Sequence, residues 1–380
     1  MDHSDSVGDG GASATFRVAF IGTGRPRGKE GFTGFGMSHA HARAYRRTGQ
    51  CRLVAACDIV PERAALFADE HAGSDPPAAV YSDYHKMLAE AKPDVVSVCT
   101  WPHLHAPMVT ACAEAAGVRA VHCEKPMAPT WGEARAMAAA CKERGVQLTF
   151  NHQRRFLAPF QTARRLLKVG AIGDLVRLEG ACGDLFDWGT HWIDMFGFYN
   201  DDVPAVSVMG QVDARRPKVV YGVPTETEAF SRIRYANGVT GLMFTGENAA
   251  EMAGYANRLV GTEGTIEVHG EAPFVRVRGR NDAAPHPIDD LPEGIHGDQA
   301  IDRAIRDNLD SLRTGRTPLL AADNALKVSE IIFAIYESAR RRGRVDLPLD
   351  IEGAPFREML DAGVFPDALS EGPVRDAVSP

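Results

Sequence analysis

The sequence predicts an α/β protein in which a doubly wound parallel sheet precedes an α+β domain with a large, mostly antiparallel, open-faced sheet. Three observations support this prediction. The chain of 380 residues is about two and a half times as long as a typical single domain. Up to residue 151, short β-branched runs alternate with helical segments. Beyond it, longer strands follow one another through short turns.

Five apolar runs in the first part are short, continuous and evenly spaced, as in parallel strands that are covered on both faces. They are Arg17–Ile21, Arg52–Cys57, Asp94–Cys99, Arg119–Cys123 and Val146–Phe150. Helical segments are expected at His39–Arg47, Pro61–Glu70, His85–Ala91, His105–Ala116 and Thr130–Arg144. Strands that alternate with helices in this way predict βαβ units and a parallel sheet.

The pattern changes near residue 151. Strands are then expected at Leu175–Ala181, Ala205–Val212, Glu226–Tyr235, Val239–Thr245, Tyr255–Gly261 and Thr265–His269. Helices are expected at Phe160–Val169, Trp188–Tyr199, Asp298–Thr314 and Ala321–Arg342. Asn237-Gly238 between two strands is a strong hairpin signal. We therefore expect a disordered tail at 1–15, domains at 16–151 and 152–347, and an irregular C-terminal tail at 348–380.

Composition excludes several classes of protein. With 44% apolar and 24% charged residues, the chain is not largely disordered. A net charge of −8 argues against a nucleic-acid partner, and the lack of an 18-residue apolar run argues against a membrane span. The N-terminus lacks a signal-peptide pattern, and the seven cysteines include no Cys-x-x-Cys. We expect a cytoplasmic protein with reduced thiols.

A glycine-rich loop follows the first strand, where a Rossmann fold places its phosphate-binding turn. Gly22 and Gly24 begin this loop, and Gly36 is the best candidate for the third glycine. This implies an insertion of about nine residues relative to G-x-G-x-x-G. Glycines let the backbone approach a pyrophosphate, and the helix N-terminus faces the negative charge. The alternative is a simple turn.

Asp58 ends the second strand, 22 residues after Gly36. A carboxylate at this distance binds ribose hydroxyls and repels a 2′-phosphate, which favours NAD over NADP. The alternative is that Asp58 only caps a helix. The inserted loop also carries the cations Arg25, Arg27 and Lys29, which could bind a 2′-phosphate. NADP therefore remains an alternative cofactor, less favoured than NAD.

Two further patterns point to chemistry. In the first, Lys125 follows the fourth strand, so it points toward the ligand edge of the sheet unless it is an ordinary surface lysine. In the second, Asp187 and Asp194 flank His191 at helical spacing. A histidine between two carboxylates is a candidate general base, and the carboxylates should raise its pKa. The alternative is that Asp187 is an N-cap and His191 is packed in the core.

Taken together, these segments resemble the glucose–fructose oxidoreductase / inositol dehydrogenase family (Gfo/Idh/MocA). The resemblance covers roughly residues 16–347. The matching segments include RVAFIGTG, VCTWPHLHAPM, HCEKPMAPTWGEA, NHQRRFLAPF and GTHWIDMF. It implies a Rossmann domain followed by an α+β domain whose open sheet forms a homodimer or homotetramer.

The resemblance also assigns residues. Lys125, Asp187 and His191 correspond to the family's catalytic residues and touch the substrate. Arg155 corresponds to a position that binds substrate or supports the site. The cofactor-binding positions implied in addition to the glycines and Asp58 are Thr100, Pro102, His105, Glu124 and Lys125. Trp101 stacks on a sugar or the adenine, or is simply packed.

The sequence therefore predicts an NAD-dependent dehydrogenase that oxidises a secondary hydroxyl of a sugar, a polyol such as inositol, or a sugar derivative, or reduces the matching ketone. His191 acts as the base, Lys125 stabilises the reacting oxygen, and Asp187 orients His191. Two alternatives remain open: a glycoside hydrolase or lyase assisted by transient NAD oxidation, and a non-catalytic NAD-binding regulator. No metal is expected, because the pairs His39/His41 and His103/His105 lack further ligands nearby in the sequence.

Overall fold

The computed structural model describes residues 15–25, 36–71, 76–288 and 291–365. Residues 1–14 of the tail expected at 1–15, the cations Arg27 and Lys29, and residues 366–380 lie outside this part of the chain. Among the described residues, no helix combines the length and the apolar character that a membrane crossing requires.

A six-stranded parallel sheet forms the N-terminal layer, with the strand order β3-β2-β1-β4-β5-β6. This is the Rossmann order. The strands are β1 Phe16–Ile21, β2 Cys51–Cys57, β3 Ala79–Tyr81, β4 Val95–Val98, β5 Ala120–Cys123 and β6 Gln147–Phe150. The helices are α1 Met37–Thr48, α2 Pro61–His71, α3 Tyr84–Ala91, α4 Pro102–Glu114 and α5 Trp131–Glu143. The predicted fold is confirmed, and only the three-residue β3 escaped the pattern.

A nine-stranded sheet forms the second layer, in the order β16-β15-β14-β13-β7-β12-β11-β8-β17. Of these pairings, only β7 with β12 is parallel. Its strands are β7 Leu175–Cys182, β8 Ala205–Asp213, β11 Glu228–Tyr235, β12 Thr240–Thr245, β13 Asn257–Gly261, β14 Gly264–Val268, β15 Val275–Gly279, β16 His286–Ile288 and β17 Val345–Asp346. A separate hairpin pairs β9 Lys218–Val220 with β10 Val223–Thr225. The mostly antiparallel sheet is confirmed, although its short strands after residue 270 carried too little pattern to predict.

The remaining helices are α6 Ala158–Lys168, α7 Gly189–Tyr199, α8 Ala249–Ala253, α9 Gln299–Thr314, α10 Ala322–Arg341 and α11 Pro355–Asp361, with a 3-10 helix at Gln153–Phe156. Two of them join the layers. Helix α10 packs between β8 of the large sheet and α5 of the first domain. Helix α9 packs on α1, with Ile301 and Ile305 in the same apolar cluster as Ala40 and Ala44.

Residues 348–365 were expected to be irregular, but they contain α11, which packs against α10. Phe356 and Met359 of this helix are buried. The backbone carbonyl of Leu349 accepts a hydrogen bond of 3.2 Å from the indole of Trp131 in α5. This part of the tail therefore also ties the second domain to the first.

A buried ion network fixes the 3-10 helix to α7. The Arg155 guanidinium donates hydrogen bonds of 2.8–3.0 Å to the Asp194 carboxylate, and Arg155 and Asp194 are each 1% exposed. It also bonds Asp202 at 2.7 and 3.0 Å, in the turn after α7. Both carboxylates are thus occupied in holding the segment that carries Gln153 and Arg154.

We predict that Arg155→Met lowers the free energy of unfolding by about 3–5 kcal/mol, because Asp194 would be left as a buried charge without its partner. Urea denaturation measures this change. The matched control is Arg164→Met, which removes an exposed pair with Asp201 and should cost at most about 1 kcal/mol. Equal stability of the two variants would contradict the structural role of Arg155.

Candidate active site

One cavity of about 630 Å³ collects the glycine loop, the ends of β4 and β5, and the start of α7. It lies at the carboxyl ends of the parallel strands, which is the usual ligand position in a doubly wound sheet. The predicted residues that line it are Gly24, Gly36, Thr100, Pro102, Glu124, Lys125, Asp187 and His191. The chain therefore brings both halves of the expected site together.

The glycine loop has the shape that a dinucleotide requires. Gly22 has φ +81, and a Cβ there would lie 2.6 Å from the Cys99 carbonyl oxygen. Gly24 has open space around its Cβ position. Gly36 caps α1 with φ 62, and no described side chain occupies the N–H groups of that helix start. These free N–H groups at the cavity wall suit a pyrophosphate, so the residues present fit the cofactor.

Asp58 lies at the end of β2 as predicted, but its carboxylate faces the loop. Its Oδ2 accepts hydrogen bonds from the N–H groups of Thr23 and Gly24, both at 3.0 Å, and from the Thr23 hydroxyl at 3.1 Å. Oδ1 accepts from the N–H of Val60. Asp58 therefore stabilises the loop and does not line the cavity, so a ribose hydroxyl would have to share oxygens that are already engaged.

His105 also differs from the expectation. It is fully buried beneath the cavity, with ring nitrogens 3.0 Å from the Thr100 carbonyl oxygen and 2.9 Å from that of Pro126. Its position braces two loops of the cofactor edge against each other. Thr100, Trp101 and Pro102 are the residues of this segment that reach the cavity.

Glu124 supports the end of β5 through a buried ion pair. Its Oε1 lies 2.9 Å from Nε2 of His41 in α1 and accepts a hydrogen bond of 2.8 Å from Asn151. Burial alone would raise the pKa of Glu124, but the bonds and charge of His41 lower it to about 2. The pKa of His41 is correspondingly raised to about 10, against the effect of burial, by Cys99 and Glu124.

Lys125 and Asp187 form an ion pair across the domain boundary. Nζ of Lys125 donates to Oδ1 of Asp187 at 2.5 Å and to the Asp187 carbonyl oxygen at 3.3 Å. Asp187 does not cap α7, whose N-cap is Trp188. Its own N–H donates to Asp184 at 2.6 Å. The carboxylate thus holds the lysine and not the histidine.

His191 lies in the first turn of α7 and lines the cavity, 4% exposed. Its Nδ1 is buried and has no hydrogen-bond partner among the described residues. Burial lowers the pKa of His191 well below its ordinary value, and the charges of Arg154 and Lys125 lower it further. The predicted raised pKa is therefore wrong, because Asp187 is paired with Lys125 and Asp194 with Arg155.

The sequence assigned Arg155 to substrate binding or to support of the site; the structure places it in the ion network with Asp194, and it is Arg154 that lines the cavity. The two adjacent arginines in the segment NHQRRF do not by themselves show which one faces the cavity. Trp188, Tyr221 and His296 also line the cavity and were not assigned. Tyr221 and His296 come from a hairpin and a loop that carry no motif, so only tertiary structure reveals them.

One group of described side chains has the composition of a metal site, namely His39, Glu70 and His71. His39 Nδ1 and His71 Nε2 are 2.8 Å apart, a hydrogen-bond distance. Ligands of a tetrahedral zinc ion lie about 3.3 Å apart, given metal–nitrogen distances of about 2.0–2.1 Å. The observed distance is that of a hydrogen bond between His39 and His71. The partner of His39 is thus His71, and not His41, with which the sequence pattern paired it.

Two family models match the chain, one in each domain. A model described as the oxidoreductase family, NAD-binding Rossmann fold, matches residues 16–152. A second, the GFO/IDH/MocA C-terminal domain, matches residues 179–267. Together they span more than half of the chain. The protein belongs to the Gfo/Idh/MocA oxidoreductase family, and its cofactor is NAD.

Individual relatives are more distant. D-apiose dehydrogenase of Paraburkholderia graminis is 28% identical over 363 residues, which cover 87% of this chain and 90% of the relative. D-glucoside 3-dehydrogenase of Escherichia coli is 33% identical over 182 residues, or 47% of each chain. A solved levoglucosan dehydrogenase in complex with NADH and L-sorbose superposes with a TM-score of 0.73 at 23% identity, covering 88% of this chain and 99% of that one. This last likeness shows the fold.

We predict that His191 remains neutral at pH 6.5, where an ordinary histidine is half protonated, because burial and two nearby cations disfavour the imidazolium. NMR of histidine-labelled protein, with the signal assigned from a His191→Asn sample, measures the titration. A midpoint above 6.5, as two adjacent carboxylates would produce, would contradict the electrostatics described above.

Proposed function

We propose that the protein is an NAD-dependent dehydrogenase that oxidises a secondary hydroxyl of a sugar, polyol or sugar derivative, or reduces the matching ketone. The observation that carries the proposal is one cavity wall that presents a lysine ammonium and a neutral buried imidazole beside the dinucleotide loop. Relatives named as dehydrogenases of D-apiose and of D-glucosides support the same substrate class.

The chain's own residues then have defined tasks. His191, neutral and lining the cavity, accepts the proton of the substrate hydroxyl. Lys125 donates a hydrogen bond to the same oxygen as negative charge develops there. When bound, NAD supplies the acceptor for the hydride that leaves the carbinol carbon.

Asp187 has a different task from the one that the sequence suggested. Its carboxylate holds the ammonium of Lys125 at 2.5 Å, and this contact fixes the direction of the lysine donor. Glu124 directly precedes Lys125, and its ion pair with His41 fixes the backbone of the same turn. Both carboxylates therefore position the lysine through bonds within the protein.

The function is tested by following NADH formation spectroscopically with a panel of sugars, inositols and sugar acids. The proposal expects net NADH with a ketone as the second product. Turnover of glycosides without net NADH would assign the protein to an NAD-assisted hydrolase or lyase instead. NAD binding without turnover of any panel member would assign it to a regulator.

We predict that His191→Asn lowers turnover by about 10²–10⁴-fold while NAD still binds, because the proton acceptor is lost and the cofactor loop is untouched. Rates and melting temperature are measured on the same purified variant. The matched control is His286→Asn on an exposed histidine of β16, which should keep the wild-type rate. A folded His191→Asn protein with near-normal turnover would remove His191 from the mechanism.

A further inference from the structure

Arg154 is a buried cation without a counter-ion. It belongs to the 3-10 helix Gln153–Phe156, lines the cavity and is 4% exposed. Its Nη1 is buried and has no hydrogen-bond partner among the described residues. The Asp187 carboxylate acts on Arg154 electrostatically, but its ion pair is with Lys125. Its neighbour Arg155, in contrast, is fully bonded to two carboxylates.

The surroundings of Arg154 fix its direction without neutralising it. Its guanidinium carbon lies 4.1 Å from the ring centroid of Trp192 and 5.3 Å from that of Trp188. Aromatic faces attract a cation but carry no hydrogen-bond acceptor for its N–H groups. Burial lowers the pKa of Arg154 to about 9, so the side chain still carries its proton at neutral pH.

The other charged groups at the cavity are already matched. The described carboxylates that line it each pair with a cation, in the pairs Glu124–His41, Asp187–Lys125 and Asp298–Arg43. Arg154 is therefore the excess positive charge among the described lining residues. Buried polar groups in proteins almost always have a hydrogen-bond partner. A ligand that brings a hydrogen-bond acceptor would supply the partner that Arg154 lacks.

Arg154 lies at the substrate end of the cavity and not at the pyrophosphate end. Its charge acts on His191 and on His296, and it packs on Trp188 at the start of α7. The N–H groups that suit the pyrophosphate belong to the start of α1, in the first domain. The missing acceptor is therefore expected on the substrate.

We propose that Arg154 binds a carboxylate of the substrate, so that the enzyme acts on sugar acids, such as uronates or aldonates. This inference rests on the proposed function for the reaction and adds the substrate class. The planar guanidinium presents paired N–H donors that match the two oxygens of a carboxylate. With the carboxylate on Arg154, the hydroxyl to be oxidised lies toward Lys125 and His191.

A phosphate group offers similar hydrogen-bond acceptors, but the residues that line the cavity favour a carboxylate, which carries the smaller negative charge. Only one unpaired cation is present among the described lining residues, and it is surrounded by Trp188 and Trp192. A phosphomonoester carries close to two negative charges at neutral pH and three acceptor oxygens. A single guanidinium between aromatic rings would leave much of that charge unmatched, whereas it neutralises one carboxylate.

The experiment uses matched pairs of ligands on the NAD-loaded protein. D-glucuronate, D-galacturonate and D-gluconate are compared with D-glucose and D-galactose, and D-glucose 6-phosphate is the phosphate arm. Calorimetry measures binding, and NADH formation measures turnover. The variants are Arg154→Met, which removes the charge, and Arg154→Lys, which keeps the charge but lacks the paired N–H donors of the guanidinium. Arg164→Met serves as a surface control, and circular dichroism checks folding.

We expect an acid of the panel to bind about 10- to 100-fold more tightly than its neutral partner, as hydrogen bonds to charged groups imply. Arg154→Met should abolish this preference, Arg154→Lys should retain part of it, and Arg164→Met should retain all of it. Turnover of neutral sugars with no preference for acids would overturn the inference and leave the proposed function standing. A preference for the phosphate ester would overturn the carboxylate assignment. Acid binding that needs Arg154 but yields no NADH would support the inference and reject the proposed function.

Discussion

The ion pair between Lys125 and Asp187 is the contact on which the site depends. Lys125 follows β5 of the first domain, and Asp187 precedes α7 of the second, so their 2.5 Å contact joins the two domains at the wall of the cavity. The domains meet there because α9 packs on α1 and α10 packs between α5 and β8. The part of the tail that contains α11 strengthens the same junction.

Burial of charge explains the protonation state of the site. The described carboxylates that line the cavity are paired with cations, as is Asp194 in α7, so none of these carboxylates is available to stabilise an imidazolium at His191. Burial and the uncompensated Arg154 then keep His191 neutral. In the proposed function, the same positive charge that keeps the base neutral would also attract the proposed anionic substrate, so one electrostatic arrangement would serve both purposes.

The sequence predicted which residues lie near the site better than it predicted their contacts. Strand periodicity located the ends of β1, β4 and β5, and parallel strands place those ends together. Contacts depend on partners that are remote in the chain: Asp58 bonds Thr23, and Arg155 bonds Asp202. His191 and Asp194 lie three residues apart in α7, but Asp187 precedes that helix, and both carboxylates pair with other cations. Tyr221 and His296 reach the cavity only through tertiary folding.

A double-mutant cycle on Lys125 and Asp187 tests the central claim most directly. Rates of NADH formation are compared for Lys125→Met, Asp187→Asn and the double variant, with folding checked by thermal denaturation. If Asp187 acts by holding Lys125, the double variant is no slower than Lys125→Met, and the coupling energy is about 1–3 kcal/mol. Fully additive losses would show that the two residues act independently and would contradict the account.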